Sequence, residues 1–141
     1  MTAREYLGQA YRLDQRINSK LQQIEQIRSL AQKVSVSYGG ETVSHTRNVT
    51  SMEDTIIRLM EAEKGIKLQI DELVDLKLRI SNLIDQVRNE SYRVILEKRY
   101  LCFLSWDQIA SDMSYSKRWV EIMHSRALEV VERLLQRQVS P

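Results

Sequence analysis

Apolar residues recur at every seventh position, without a break, from Met52 through Leu59, Ile66, Leu73 and Ile80 to Val87. Nothing else in the chain constrains its fold as much. A seven-residue spacing held this long aligns one face of an α-helix, and an apolar stripe of that length needs a partner. The interleaved positions Ile56, Glu63, Ile70, Lys77 and Ile84 complete the seam, two of the five being charged. Helix breakers do not interfere, because the chain has four glycines and one proline, the last residue. An all-α fold is therefore expected. At a rise of roughly 1.5 Å per residue, a helix of about 35 residues extends for about 50 Å.

Thr50-Ser51-Met52-Glu53 has the form of a capping box for this helix, and Thr2-Ala3-Arg4-Glu5 has the same form at the N-terminus. From there Tyr6, Ala10, Leu13, Ile17, Ile24, Ile27, Ala31 and Val34 repeat as a seam with one gap, at Lys20. Residues 37–51 are polar, contain Gly39-Gly40 and lack a helical period, so a loop is expected there. It is long enough for the second helix to fold back on the first. The economical arrangement is a long antiparallel helical hairpin, a coiled coil, over residues 1–88. Burying even ten Leu, Ile or Val side chains at roughly 1.5–3 kcal/mol each outweighs any surface ion pairing. The charge balances agree: 2–36 holds six basic and three acidic residues, 52–88 six basic and eight acidic. The same seams also suit pairing with a second copy, as a homo-oligomer, and both arrangements stay open. Lys20, Glu63 and Lys77 can lay their stems on the seam with their heads in water, fixing register or partner number.

Asn89 follows Val87-Arg88 and suits the left-handed conformation that ends helices. A domain boundary is expected there, with a second domain over 89–137 and a tail over 138–141. In that domain Ser105-Trp106-Asp107-Gln108 is an S-x-x-Q capping box, and Trp106, Ile109, Ala110 and Met113 form the apolar side of a short helix. The pattern ends at Ser114-Tyr115. Ser116 then caps a further helix bearing Val120, Met123, Ala127, Val130 and Leu134. The expected core is Tyr92, Ile95, Leu96, Tyr100, Leu104, Trp106, Ile109, Ala110, Val120, Met123, Ala127 and Val131. A short helix, a tight turn and a second capped helix have the spacing of a helix-turn-helix.

The residues Arg99-Tyr100-Leu101, Trp106-Asp107-Gln108-Ile109-Ala110, Ser116, Val120 and Arg126-Ala127 make this stretch resemble region 4 of bacterial sigma factors. With the long helical part before it, the chain is similar to the RinA/ArpU-like transcriptional regulators of phages and prophages. The resemblance implies a three-helix, sigma-region-4-like domain that binds double-stranded DNA, regulates late genes and contacts RNA polymerase. Residues 116–126 would enter the major groove while Trp106–Met113 lies across the backbone, with Arg99 and Arg126 bracing the helices. The DNA-binding candidates are Ser116, Lys117, Arg118, Trp119, Glu121, Ile122 and Ser125. Lys117 and Arg118 sit where they can reach phosphates or a guanine edge, and Glu121 can accept from a cytosine amino group. The chain departs from the family pattern at Glu121 and Met123, where Lys or Arg is common, which implies fewer phosphate contacts.

At 141 residues the chain fits one or two small domains. No apolar run approaches the roughly 20 residues that span a bilayer, and no signal-peptide core follows Met1-Thr2-Ala3-Arg4, so a cytoplasmic protein without a membrane partner is expected. Cys102 is the single cysteine, and its neighbours Leu101, Phe103 and Leu104 suggest that it packs inside. His45 and His124 have no H-x-x-x-H or H-E-x-x-H partner, no glycine-rich phosphate loop occurs, and Asp71, Glu72 and Asp75 suit a solvated helix face. No enzyme activity, metal or cofactor is expected. The net charge is +2, and 89–141 holds eight basic against seven acidic residues. A monomer with so thin a positive footprint should bind DNA weakly, and paired domains on two half-sites would replace charge with avidity. The alternatives are a protein-interaction module docking on RNA polymerase and a small terminase-like DNA-packaging subunit.

Overall fold

The computed structural model describes residues 1–38 and 45–139, and among these every regular element is a helix. In chain order they are α1 (Ala3–Leu7), α2 (Gln9–Tyr38), α3 (His45–Asp85), α4 (Glu90–Tyr100), α5 (Trp106–Met113) and α6 (Lys117–Val139). None of them is long and apolar enough to cross a membrane.

The long helices reach further than the polar composition between them suggests. Residues 37–38 and 45–51, expected as loop, are helical, so His45 belongs to α3; residues 39–44, with Gly39-Gly40, lie outside the described residues. Thr50-Ser51-Met52-Glu53 is consequently no helix start but lies inside α3, where the Thr55 hydroxyl donates to the Ser51 carbonyl at 2.8 Å. Hydroxyls in a helix can bond back one turn, and polar residues with no proline among them do not stop one. Likewise Gln138 and Val139, expected as tail, continue α6.

The chain divides into two compact units, Met1–Asp14 with Leu73–Pro141, and Gln15–Glu72. The break expected at Asn89 lies inside the first of these and has a different cause. Asn89 is extended at φ −71°, ψ 116°, and its side chain accepts the Tyr92 amide at 3.1 Å. It starts α4 as an N-cap rather than ending α3 in a left-handed turn.

In the first unit, α4, α5 and α6 pack on one another around Ile95, Ile109, Ala110, Val120 and Met123, with Tyr92, Leu104, Trp106 and Met113 against them. This is the core that the apolar spacing predicts. Ala127 and Val131 extend the buried stripe of α6, and α1 packs on α6 as well. Both halves of the capping box expected at Thr2 and Glu5 are present. The Ala3 amide donates to the Glu132 carboxylate at 2.7 Å, and Leu7 and Ala10 are fully buried. Tyr6, placed in the seam by spacing, is only half-buried. Leu7 takes the inner position. Gly8 closes α1, and a Cβ there would meet the Arg4 carbonyl oxygen at 3.1 Å. From α3 the same unit buries Leu76, Ile80, Leu83 and Ile84, and from the segment after it Val87.

In the second unit, Ile17 and Ile24 of α2 and Ile66 of α3 are buried, and Arg28 pairs with Glu63. A groove of about 280 Å³ is lined by Ile27, Leu30 and Ala31 from α2 and Ser51, Met52, Thr55, Ile56 and Leu59 from α3. Leu59, Ile66, Leu73 and Ile80 face inward on α3, as the seven-residue spacing predicts, and Val87 is buried just beyond its end, whereas Met52 is 36% exposed. The interleaved set differs. Ile56 and Ile70 are 52% and 42% exposed and Glu63 is exposed, while Lys77 is half-buried and Ile84 fully buried; Gln69, Leu76 and Leu83, three residues after a seam position, also turn inward. Near the end of α3 both neighbours of the stripe, Leu83 and Ile84, are buried. Ile27, expected in the α2 seam, is 45% exposed and lines the groove.

Cys102 is exposed, contrary to the packing that its neighbours suggest. It follows the α4 C-cap Leu101, its amide donates to the Glu97 carbonyl at 3.0 Å, and Phe103 then turns with φ 59°. The bend directs the flanking apolar side chains inward and the thiol outward.

Candidate nucleic-acid interface

The surface of interest is built by two helix starts and the turn between them. Ser105 accepts the Gln108 amide at 3.2 Å while Gln108 accepts the Ser105 amide at 2.9 Å, so both halves of the capping box operate. α5 ends at Ser114, which is left-handed at φ 57°, ψ 37°. Tyr115 donates back to the Ala110 carbonyl at 3.0 Å. Ser116 then accepts the Trp119 amide at 3.1 Å, and α6 begins. The three residues from Ser114 to Ser116 between the end of α5 and the capped start of α6 fix the direction of α6 against α5.

α6 turns Val120, Met123, His124, Ala127 and Val131 inward. Of the sequence candidates, Arg118, Glu121, Ile122 and Ser125 come together on its outward face, all exposed. Lys117 is exposed but stands 3.5 Å from the Asp107 carboxylate. Ser116 serves the cap. Trp119 is 40% exposed, with the Arg126 guanidinium 5.6 Å from its ring centre. Arg99 donates to the Leu104 carbonyl at 3.0 Å and lies 4.4 Å over the Trp106 ring, bracing the bend between α4 and α5. Lys98 and Asp112, 3.4 Å apart, tie the same two helices on the outside.

Three positively charged groups that sequence reasoning did not bring together meet beside this face. A cavity of about 660 Å³ in the first unit is lined by Arg4 and Arg12 from the N-terminal helices, Arg99 from α4, Ser105 and Trp106 from the α5 start, and Glu121 and Ser125 from α6, among others. His124 also reaches it, with its Nε2 2.7 Å from the Tyr100 hydroxyl and its ring edge-on to Trp106 at 4.5 Å. Burial pushes the imidazole down to about 4, with Arg4 and Arg99 acting in the same sense. The Tyr100 phenol is raised, its burial outweighing the same two arginines. Phe103 closes one side, edge-on to Tyr11 at 5.5 Å with the Lys77 ammonium 4.5 Å from its ring centre. Only the N-terminal capping box, which puts a helix at the chain start, hinted at this arrangement. No local pattern links Arg4 to residues more than a hundred positions away.

A family described as protein of unknown function (DUF1492) matches residues 33–132. The chain belongs to that family. The DUF1492 match takes in the later part of α2, all of α3, α4 and α5, and α6 as far as Glu132, and therefore every candidate from Ser116 to Ser125. Arg4 and Arg12 precede it. No curated protein and no solved structure matches the chain.

Proposed function

We propose that this protein is a sequence-specific, double-stranded-DNA-binding transcription regulator, acting on late genes of a phage or prophage. In this reading α5, the left-handed Ser114 turn and α6 are a sigma-region-4-like helix-turn-helix, with α4 as its third helix. α6 enters the major groove by its N-terminal half and α5 crosses the backbone. The observation that carries the reading is the outward face of α6, where Arg118, Glu121, Ile122 and Ser125 stand exposed on a helix whose opposite side is buried. Arg118 suits a guanine edge and Glu121 a cytosine amino group. The RinA/ArpU-like assignment rests on the residues of α4 to α6 that resemble that family.

α2 and α3 form the antiparallel hairpin of the same reading. Arg28 pairs with Glu63 while the later residues Leu30 and Ala31 share a groove with the earlier Met52 and Ile56, as opposed helix directions require. Ile57, Met60 and Leu68 remain exposed on α3, and a second copy covering them would make a dimer that presents two reading heads. Two half-sites then share the energetic demand that one weakly basic domain meets poorly.

Docking on RNA polymerase is the second reading. It is favoured by the apolar exposure of Trp119 and Ile122 and by the Lys117 to Asp107 pair, which competes with phosphate for the lysine.

Selection of bound fragments from a random duplex pool, followed by sequencing, separates the two. Enrichment of a motif with paired half-sites, lost in the Lys117→Ala/Arg118→Ala protein, is the expected result. No enrichment by the unmodified protein would sink the DNA reading in favour of the second.

A further inference from the structure

The wall of the 660 Å³ cavity holds three arginines against one carboxylate, Glu121. The three are not equivalent. Arg99 is committed to the Leu104 carbonyl and the Trp106 ring. Arg4 and Arg12 are exposed, and Arg12 spends one terminal nitrogen on the Glu5 carbonyl at 3.3 Å. Both are brought here because α1 packs on α6, secured by the Ala3 amide on Glu132. The cavity rim includes Glu121 and Ser125, members of the outward face of α6, and Ser105 at the start of α5. The arginines and the proposed reading face thus border one opening.

We infer that Arg4 and Arg12 grip a phosphate of the DNA backbone beside the groove that α6 reads. The inference rests on the DNA-binding reading and deepens it, supplying positive charge from a part of the chain far from the helix-turn-helix. Three observations favour a backbone phosphate as the occupant. The guanidinium fork matches phosphate oxygens. The opening is continuous with the surface where a duplex would lie, and phosphate contacts commonly fix the register of a reading helix. The imidazole at the back of the cavity is neutral at physiological pH, held so by burial and by Arg4 and Arg99, so it adds no competing cation and leaves the arginines to set the local field. The two N-terminal arginines also offset the thin charge of 89–141, eight basic against seven acidic residues.

The test is the salt dependence of binding to a duplex enriched in the selection above. Loss of one phosphate contact lowers the slope of log affinity against log salt by about 0.9, so Arg4→Gln/Arg12→Gln, which frees the phosphate that both arginines grip, should flatten it by that amount while leaving the preferred sequence unchanged. Arg4→Lys/Arg12→Lys, which keeps the charge, should retain most of the slope. Matching thermal unfolding curves separate lost contact from lost fold. A wild-type slope in the folded Gln variant overturns the inference and leaves the DNA reading standing. Failure of the unmodified protein to bind any duplex overturns both. The same phosphate chemistry could come from a small anion. Protection against unfolding by inorganic phosphate that vanishes in the Gln variant, with no change of DNA slope, would give the cavity to a free anion and overturn the backbone assignment.

Discussion

Among the described residues His124 is the one polar side chain in the buried set, 4% exposed, and it is paired with Tyr100 at 2.7 Å. Its environment fixes a pH response. Burial first, then Arg4 and Arg99, lower its pKa from 6.5 to about 4, so between those values the unfolded chain binds a proton that the folded chain does not. Stability should therefore rise with pH from about 4 to 6.5 and fall away on acidification through that window. Tyr100, Trp106, Glu121, Arg4, Arg12 and Arg99 face the ring or its cavity, and the Glu121 carboxylate is exposed and screened. Denaturant midpoints across that range, read for the unmodified protein and for His124→Gln, check the prediction. An equally steep profile in the variant would assign the acid sensitivity elsewhere. The sequence disclosed His124 only as an imidazole without a metal-binding partner, because its neighbours come from α1, α4 and α5. By contrast, the buried positions Ile95, Leu96, Tyr100, Ile109, Ala110, Val120, Met123, Ala127 and Val131 were legible, since a helix buries residues by a fixed angular repeat. Cys102 was misread because a bend, unlike a helix, has no repeat from which to infer the inward side.

At the scale of elements, caps carried more information than seams. The boxes at Thr2 and Ser105 and the cap at Ser116 are in place because each stands before a helix whose first amides have no other partner. The same four-residue form at Thr50 failed since helix already preceded it, and a capping motif cannot announce whether the chain upstream is free. The seam of α3 was right in its seven-residue repeat from Leu59 to Ile80, but Met52 is exposed, and beside the repeat the third residue at Leu76 and Leu83 and the fourth at Ile84 are buried while the fourth at Ile56 and Ile70 is exposed. Both lie near the stripe, and the position of the partner helix decides. Ser114 offers a cleaner test of local reasoning. It holds φ 57° as the C-cap of α5, a conformation that costs an L-residue roughly 1–2 kcal/mol and glycine almost nothing. Ser114→Gly should raise stability by about 0.5–1 kcal/mol, after the extra freedom of glycine in the unfolded chain is subtracted. Urea unfolding gives the number, and a loss of stability would mean that the Ser114 side chain has a role beyond the turn.

For the molecule as a whole, the consequential feature is that the first residues belong with the last. The split of the chain after Asp14 and before Leu73 was invisible to sequence reasoning, which assigned everything before Asn89 to one hairpin. Periodicity reports that a face is buried and says nothing about which element buries it. Leu7, fully buried in α1, gives the measurement. Leu7→Ala should cost about 2–4 kcal/mol, and the loss should appear in the fluorescence of Trp106 and Trp119, the two tryptophans, both more than ninety residues downstream. A tryptophan-monitored midpoint unaffected by Leu7→Ala would show that α1 is not part of the cooperative unit. The hydrogen bond from Ala3 to Glu132 spans 129 positions, and it sets a schedule for synthesis. A ribosome adding about 5–20 residues each second needs roughly 6–26 seconds to bring out Glu132 after Ala3. For all that time Leu7 and Ala10 lack the α6 surface on which α1 packs, so a chaperone meeting the nascent chain would find a client segment in α1.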